Sequence, residues 1–106
     1  MNQRLPPRET LTVEFKSDRS KLPDRDLIEA LVCLANAAGG ELWLGVEDDV
    51  IPTGLHPDHR LLEGLAGMVA ARTSPSLNVK AEVVELDGVT VARIQVPKAQ
   101  GEVDRK

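Results

Sequence analysis

Apolar and polar residues follow three successive patterns in the first half of the chain. Over residues 10–16 every second residue is apolar, which is typical of a strand with one buried face. From Pro23 to the Gly39-Gly40 pair, apolar residues recur at helical spacing and predict a helix that the glycines end. Residues 42–46 are continuously apolar and predict a strand that is covered on both faces.

The pattern of the second half predicts one more helix. Apolar spacing from about residue 58 to residue 72 indicates this helix, and Ser74-Pro75 ends it. Gly64 and Gly67 weaken the helix locally, so we expect them to serve close packing against a sheet.

Two further strands complete the pattern. Residues 77–86 and 89–96 read as strands, and Asp87-Gly88 between them predicts a tight hairpin because both turn positions need positive φ. The order β-α-β-α-β-β predicts an α/β (α+β) fold, a two-layer sandwich of a mixed sheet with two helices on one face. A right-handed crossover through the first helix would make the first two strands parallel neighbours.

The length of the chain, 106 residues, predicts a single domain. Residues 1–8 contain Pro6-Pro7 and predict an N-terminal arm, residues 9–97 form the domain, and residues 98–106 are expected to be a frayed polar tail. Cys33 lies among apolar residues of the first helix, so we expect a buried free thiol.

The composition limits the classes of partner. Phe15 and Trp43 are the only aromatic residues, which disfavours a surface that stacks on bases. Trp43 lies inside the apolar strand and is expected in the core. No apolar run is long enough to span a membrane and the N-terminus does not resemble a signal peptide, so the cytoplasm is the expected compartment and no membrane contact is expected.

The charge of the chain is uneven. The formal net charge is −4, yet residues 1–25 carry six basic and four acidic side chains. Phosphate contacts are therefore expected from this quarter. Lys16, at the end of the first strand, is the best single candidate, and Arg19, Lys21 and Arg25 would extend the same edge. The alternative is that these side chains are a solvated rim.

Carboxylates follow the second strand. Glu47-Asp48 come after it and Lys16 ends the first, so parallel neighbouring strands would bring these side chains together. Converging carboxylates suit Mg²⁺ or Mn²⁺ and an activated water, whereas the plainer interpretation is a solvated turn. His56 and His59 lack further Cys or His partners and do not predict a zinc site.

Two sequence motifs resemble the Schlafen/AlbA-like domain family, and the resemblance covers nearly the whole chain. They are Glu9-x-x-x-x-Glu14-Phe15-Lys16 and Ala35-Asn36-x-x-Gly39-Gly40-x-Leu42-x-Leu44-Gly45-Val46-x-Asp48. The resemblance implies a domain that handles nucleic acid, commonly as an N-terminal module of bacterial transcription regulators. The family has also been labelled a divergent ATPase domain.

The Schlafen branch includes endoribonucleases with three acidic residues. By motif these would be Glu9, Glu14 and Asp48, which the resemblance implies as catalytic residues and as ligands of Mg²⁺ or Mn²⁺ if the chain is a nuclease. Residues five apart in a regular strand face opposite sides, so Glu9 and Glu14 converge only if Glu9 precedes the strand or a bulge intervenes. Asn36 is either a bracing residue at the helix end or a contact to phosphate or ribose.

Three functions follow from these observations. The first is a nucleic-acid-binding module for DNA or RNA, with no catalytic activity. The second is a divalent-metal-dependent endoribonuclease that uses Glu9, Glu14 and Asp48. The third is a protein-interaction domain, with a homodimer as one form, which the acidic net charge and the expected sheet edges favour.

Overall fold

The computed structural model describes residues 5–59 and 62–106, so residues 1–4 of the predicted arm lie outside the described part. The regular elements are β1 (Val13–Lys16), α1 (Asp24–Ala37), β2 (Gly40–Leu44), α2 (Leu65–Ala71), β3 (Thr73–Ser74), β4 (Lys80–Leu86), β5 (Val89–Val96) and β6 (Asp104–Arg105). A 3-10 helix spans Pro57–His59. Neither α-helix is long and apolar enough to cross a membrane.

Four strands form one mixed sheet in the order β1-β2-β5-β4. β1 runs parallel to β2, and the other two pairs are antiparallel. The two-residue turn that joins β4 to β5 has φ of 51° at Asp87 and 80° at Gly88, as the Asp-Gly sequence predicts. The predicted α/β fold and the parallel pairing are confirmed, and β3 with β6 forms a second, small sheet.

Both helices lie on one face of the main sheet. Leu31 of α1 and Val69 of α2 belong to a single apolar cluster with Leu42 and Ile94 of the sheet, and all four side chains are buried. This burial supplies most of the driving force for folding, since each such side chain contributes about 1.5–3 kcal/mol.

The opposite face of the sheet buries the two aromatic rings. Phe15 and Trp43 are each 1% exposed, which confirms Trp43 as a core residue. The indole N–H of Trp43 donates to Glu41 (2.9 Å), and Nε of Arg93 donates to the other oxygen of that carboxylate (2.7 Å). The hydrogen bond with Glu41 is the largest of the effects that raise the pKa of Arg93. A buried indole thus has the polar partner it requires.

The second helix is shorter than its apolar spacing predicts. Leu62 and Gly64 have φ of 51° and 78°, which are not helical, so α2 begins only at Leu65. Nothing lies within 4 Å of the position that a Cβ would take at Gly64 or Gly67. The predicted close packing of these two glycines against the sheet is therefore wrong.

Two other predictions about burial are also wrong. Cys33 is exposed, because the buried stripe of α1 runs through Leu27, Leu31 and Leu34 and leaves position 33 on another side of the helix. The last residues do not fray as a polar tail, since Val103 is buried and β6 pairs with β3. A single apolar residue, Val103, in a polar segment is a weak signal of burial, and only the tertiary structure shows that it is buried.

The Gly39-Gly40 pair permits two close approaches of backbone to backbone. A Cβ on Gly40, where φ is 142°, would stand 2.0 Å from the carbonyl oxygen of Thr12. That carbonyl accepts a hydrogen bond from the N–H of Glu41 at 2.8 Å. A Cβ on Gly39 would stand 2.8 Å from the carbonyl oxygen of Val96. The two glycines therefore allow backbone segments to pack closely, and the sequence does not specify this role.

We predict that Gly40→Ala destabilises the protein by about 2 kcal/mol or more, because it adds a clash with backbone to a strained φ. Urea denaturation followed by circular dichroism measures the change. Gly67→Ala is the matched control, since Gly67 lies in α2 with open space around it. The control should be neutral or stabilising by up to about 1 kcal/mol. Equal effects of the two substitutions would contradict the packing role of Gly40.

Candidate functional site

A tight turn at Leu11-Thr12 folds the segment before β1 back onto that strand. Thr10 and Val13 form an antiparallel bridge, with N···O distances of 3.1 and 3.3 Å between their backbones. The next residues outward in such a pair are opposite each other, so Glu9 lies against Glu14. The two carboxyl groups converge because Glu9 precedes the strand.

The pairing of these carboxyl groups changes the acidity of Glu9. Its pKa is raised from 4.5 to about 7, first by partial burial, then by a hydrogen bond with Glu14 and by the charge of Glu14. The charge of Asp48 raises it further, and a hydrogen bond from the backbone of Phe15 acts in the opposite direction. Two carboxyl groups in contact favour a shared proton, as in other carboxylate pairs.

Asp48 lies in a turn that follows β2 and is fixed near the end of β1. The N–H of Val50 donates to the carbonyl of Glu47 at 2.9 Å, and Thr53 Oγ1 donates to the Glu47 carboxylate at 2.6 Å. The hydrogen bonds of Glu47 with Thr53 and Ser17 lower the pKa of Glu47. The ends of β1 and β2 are joined directly, since the N–H of Gly45 donates to the carbonyl of Lys16 at 2.8 Å.

The three carboxylates have the oxygen ligands that Mg²⁺ and Mn²⁺ take. Glu9 and Glu14 are in contact, and Asp48 is close enough for its charge to act on Glu9. Among residues 5–59 and 62–106, however, no three metal-binding side chains gather closely enough to hold an ion. The described residues therefore contain a pair of carboxyl groups in contact, with a third acid nearby, and they do not contain a compact cluster of three metal ligands.

Lys16 lies in a groove of mainly acidic character between β1 and α1. Its ammonium group is 3.8 Å from the Glu14 carboxylate, and Asp26 and Glu29 of α1 line the same groove. One acidic group beside the lysine and two more in the same groove disfavour a phosphate at this position. Lys16 ends β1, but the other charged side chains of its groove are acidic and do not favour the phosphate contact that the sequence predicts.

The other predicted basic residues are dispersed. Arg19 is exposed, and its charge contributes to the lowered pKa of Glu47. Lys21 lines a shallow cavity beside His59. Arg25 lies on a different flank of α1, where it lines a groove with Arg72 and Arg105. Lys16, Lys21 and Arg25 therefore line three different grooves.

Asn36 holds the last residues of the chain. Its Nδ2 donates to the carbonyl of Val103 at 2.9 Å, and its Oδ1 accepts from the N–H of Val103 at 2.8 Å. Both atoms of the amide are thereby engaged with backbone, which fits the bracing role that the sequence offers as one alternative.

A buried acid–histidine pair lies outside the motifs that the sequence presents. Asp18 is fully buried, and its Oδ2 lies 2.8 Å from Nδ1 of His59. The same carboxylate accepts the backbone N–H groups of Leu22 and His56, each at 2.8 Å. Asp18 stands in a polar loop, where nothing in the local pattern signals burial. It joins the loop after β1 to the segment before α2.

We predict that Asp18→Ala costs about 3 kcal/mol or more, since it leaves two partly buried N–H groups and a buried imidazole without their acceptor. Chemical denaturation measures the loss. Asp58→Ala removes a carboxylate of the neighbouring segment that is 62% exposed, and it should change stability by no more than about 0.5 kcal/mol. A loss at Asp18 as small as that of this control would contradict the joining role.

The raised pKa of Glu9 predicts how the stability of the protein depends on pH. The raised pKa means that Glu9 binds its proton more tightly in the folded than in the unfolded chain, so this group stabilises the fold at low pH. Its contribution should disappear as pH rises from about 4.5 to about 7. Glu9→Gln should therefore lose less stability than the wild type across this range.

Denaturation midpoints at several pH values measure that difference. The matched control is Glu102→Gln, which removes an exposed carboxylate near the other end of the chain and should keep the wild-type pH dependence. An unchanged pH dependence in Glu9→Gln would contradict the shared-proton pair.

Solved structures of other proteins have a similar fold. The N-terminal domain of a RecG-related protein from Nitrosomonas europaea, whose provisional name is ATP-dependent DNA helicase, is similar with a TM-score of 0.65 and 23% identity. The match covers 90% of this chain and 69% of that domain structure. The DIP2311 protein from Corynebacterium diphtheriae is similar with a TM-score of 0.69 and 22% identity, over 90% of this chain and 22% of that one.

No curated protein matches the chain. A family match, in contrast, extends over almost the whole sequence: residues 9–106 match the family described as Schlafen, AlbA_2. The matched region includes the carboxylate pair, both helices, the hairpin and the small sheet. The chain therefore belongs to the Schlafen AlbA_2 family.

Proposed function

We propose that this domain binds nucleic acid. The observation that carries the proposal is membership of the Schlafen AlbA_2 family over residues 9–106. The similar domain from Nitrosomonas europaea is part of a protein named for a DNA helicase, which supports the same class of ligand. The cellular role that we propose is that of a module in a bacterial transcription regulator in the cytoplasm.

The distribution of side chains favours contacts with the phosphate backbone. Phe15 and Trp43 are the only aromatic side chains in the sequence, and both are buried, so no phenyl or indole ring offers a platform for bases. Exposed basic side chains such as Arg25, Arg72 and Arg105 are instead available to phosphates. Binding of this kind weakens steeply with salt because counterions are released on association.

We expect the protein to bind labelled nucleic acid at low salt, with a clear loss of affinity between 50 and 200 mM salt. Fluorescence anisotropy with duplex DNA, transfer RNA and single-stranded RNA measures this, in EDTA and in Mn²⁺. Absence of binding to every probe even at low salt would contradict the proposal. Light scattering on the same samples would then test the homodimer, which is the form that the interaction-domain alternative expects.

The nuclease alternative has one observation in its favour, the contact between Glu9 and Glu14 with the raised pKa of Glu9. The anisotropy samples also test the nuclease alternative, because the recovered nucleic acid can be analysed on a gel for cleavage. Intact probe in Mn²⁺ favours the binding module. Metal-dependent shortening that is lost in Glu14→Gln and in Asp48→Asn would favour the endoribonuclease.

A further inference from the structure

A groove of basic character lies between α1 and the small sheet of β3 and β6. Its lining contains four basic side chains and one acidic side chain: Arg25, Arg72, Arg105, Lys106 and Asp104, with Ile28 at its base. These residues come from the start, the middle and the end of the chain. Residues 26–106 carry 7 basic and 13 acidic side chains, so the fold gathers positive charge that the linear sequence disperses.

The backbone beneath the groove is well fixed. Thr73 of β3 pairs with Arg105 of β6, and the N–H of Lys106 donates to the carbonyl of Arg72 at 2.8 Å. The buried hydroxyl of Thr73 donates to the carbonyl of Val69 at 2.8 Å. The basic side chains therefore project from a frame that is hydrogen-bonded within the domain.

The ion pairs that two arginines of the groove form with acidic neighbours outside its lining are weak. Arg72 lies 3.9 Å from Asp24, and their side chains are 55% and 42% exposed. Arg105 lies 3.6 Å from Glu29, and these side chains are also about half exposed. Exposed pairs of this kind contribute little to stability, so a phosphate that binds arginine through two parallel hydrogen bonds can displace the acids at small cost.

The two grooves that border α1 differ in charge. The one between β1 and α1 combines Lys16 with Glu14, Asp26 and Glu29. The one beside the small sheet is lined by four basic side chains and one acidic side chain, with Asp24 and Glu29 paired to two of its arginines. Anions are therefore attracted to the groove beside the small sheet more than to the groove between β1 and α1. Glu29 lies between the two and limits how far the positive region extends.

Resting on the proposed function, we propose that this basic groove binds the phosphate backbone of a double-stranded nucleic acid. The arginines supply the planar, paired donors that phosphates favour. Both phenyl and indole rings of the chain are buried, which removes the stacking contacts on which binding of single strands relies. The groove, and not Lys16, then contributes most of the affinity.

The test compares three variants that each remove two positive charges. Arg72→Gln/Arg105→Gln changes the groove, Arg19→Gln/Lys21→Gln changes the loop after β1, and Lys80→Gln/Lys98→Gln changes exposed positions elsewhere. Anisotropy with a short labelled DNA duplex, the RNA duplex of the same sequence and each single strand gives affinity as a function of salt. Circular dichroism and thermal unfolding confirm that each variant is folded.

We expect the groove variant to weaken duplex binding about tenfold or more, and to lower the slope of log affinity against log salt by about 2 relative to the wild type. The other two variants should show smaller losses. Glu29→Gln/Asp104→Asn should strengthen binding, and this gain does not depend on how well the arginine variant folds. The wild type should bind duplex more tightly than single strand.

The possible failures are distinguishable. Absence of binding by the wild type would overturn the proposed function and the groove together. If the groove variant loses no more affinity than the Lys80/Lys98 variant, the groove is not the binding site. The proposed function would still stand in that case. A stronger loss in the Arg19/Lys21 variant would place the interface on the loop after β1. Tighter binding of single strands would overturn the assignment to duplex.

Discussion

The close approach of two backbone segments at Gly40 is the constraint on which the rest of the structure depends. The carbonyl oxygen of Thr12 occupies the space that any side chain at position 40 would need. This contact extends the parallel pairing of β1 with β2 and fixes the turn that precedes β1. The position of Glu9 against Glu14 follows from that turn, so the chemistry of the carboxylate pair depends on a residue without a side chain.

Two polar contacts, one buried and one partly buried, connect segments that are distant in sequence. The carboxylate of Asp18 gathers Leu22, His56 and His59, and the amide of Asn36 holds Val103. Each satisfies backbone or imidazole groups that would be costly to bury alone. They are therefore specific connections, whereas the apolar cluster between helices and sheet would tolerate alternative arrangements more readily.

The helix α1 separates surfaces of opposite charge. Its flank toward β1 borders a groove that contains Glu14, and its flank toward the small sheet borders a groove that contains Arg72 and Arg105. The two surfaces favour different ligands, since acidic groups attract cations and clustered arginines attract phosphates. A domain with a net charge of −4 can therefore present a positive surface locally.

The amino-acid sequence by itself determined the family, the order of the two helices and the four strands of the main sheet, the parallel pairing of the first two strands and the hairpin at Asp87-Gly88, because periodicity and turn chemistry are local properties. It did not indicate β3 or β6. It also left two ways for Glu9 to meet Glu14, either before the strand or through a bulge, and the structure has the first. Only the tertiary structure decided the burial of Asp18 and Val103, the exposure of Cys33 and the gathering of the arginines. These depend on contacts between segments far apart in the chain, which no local pattern of residues encodes.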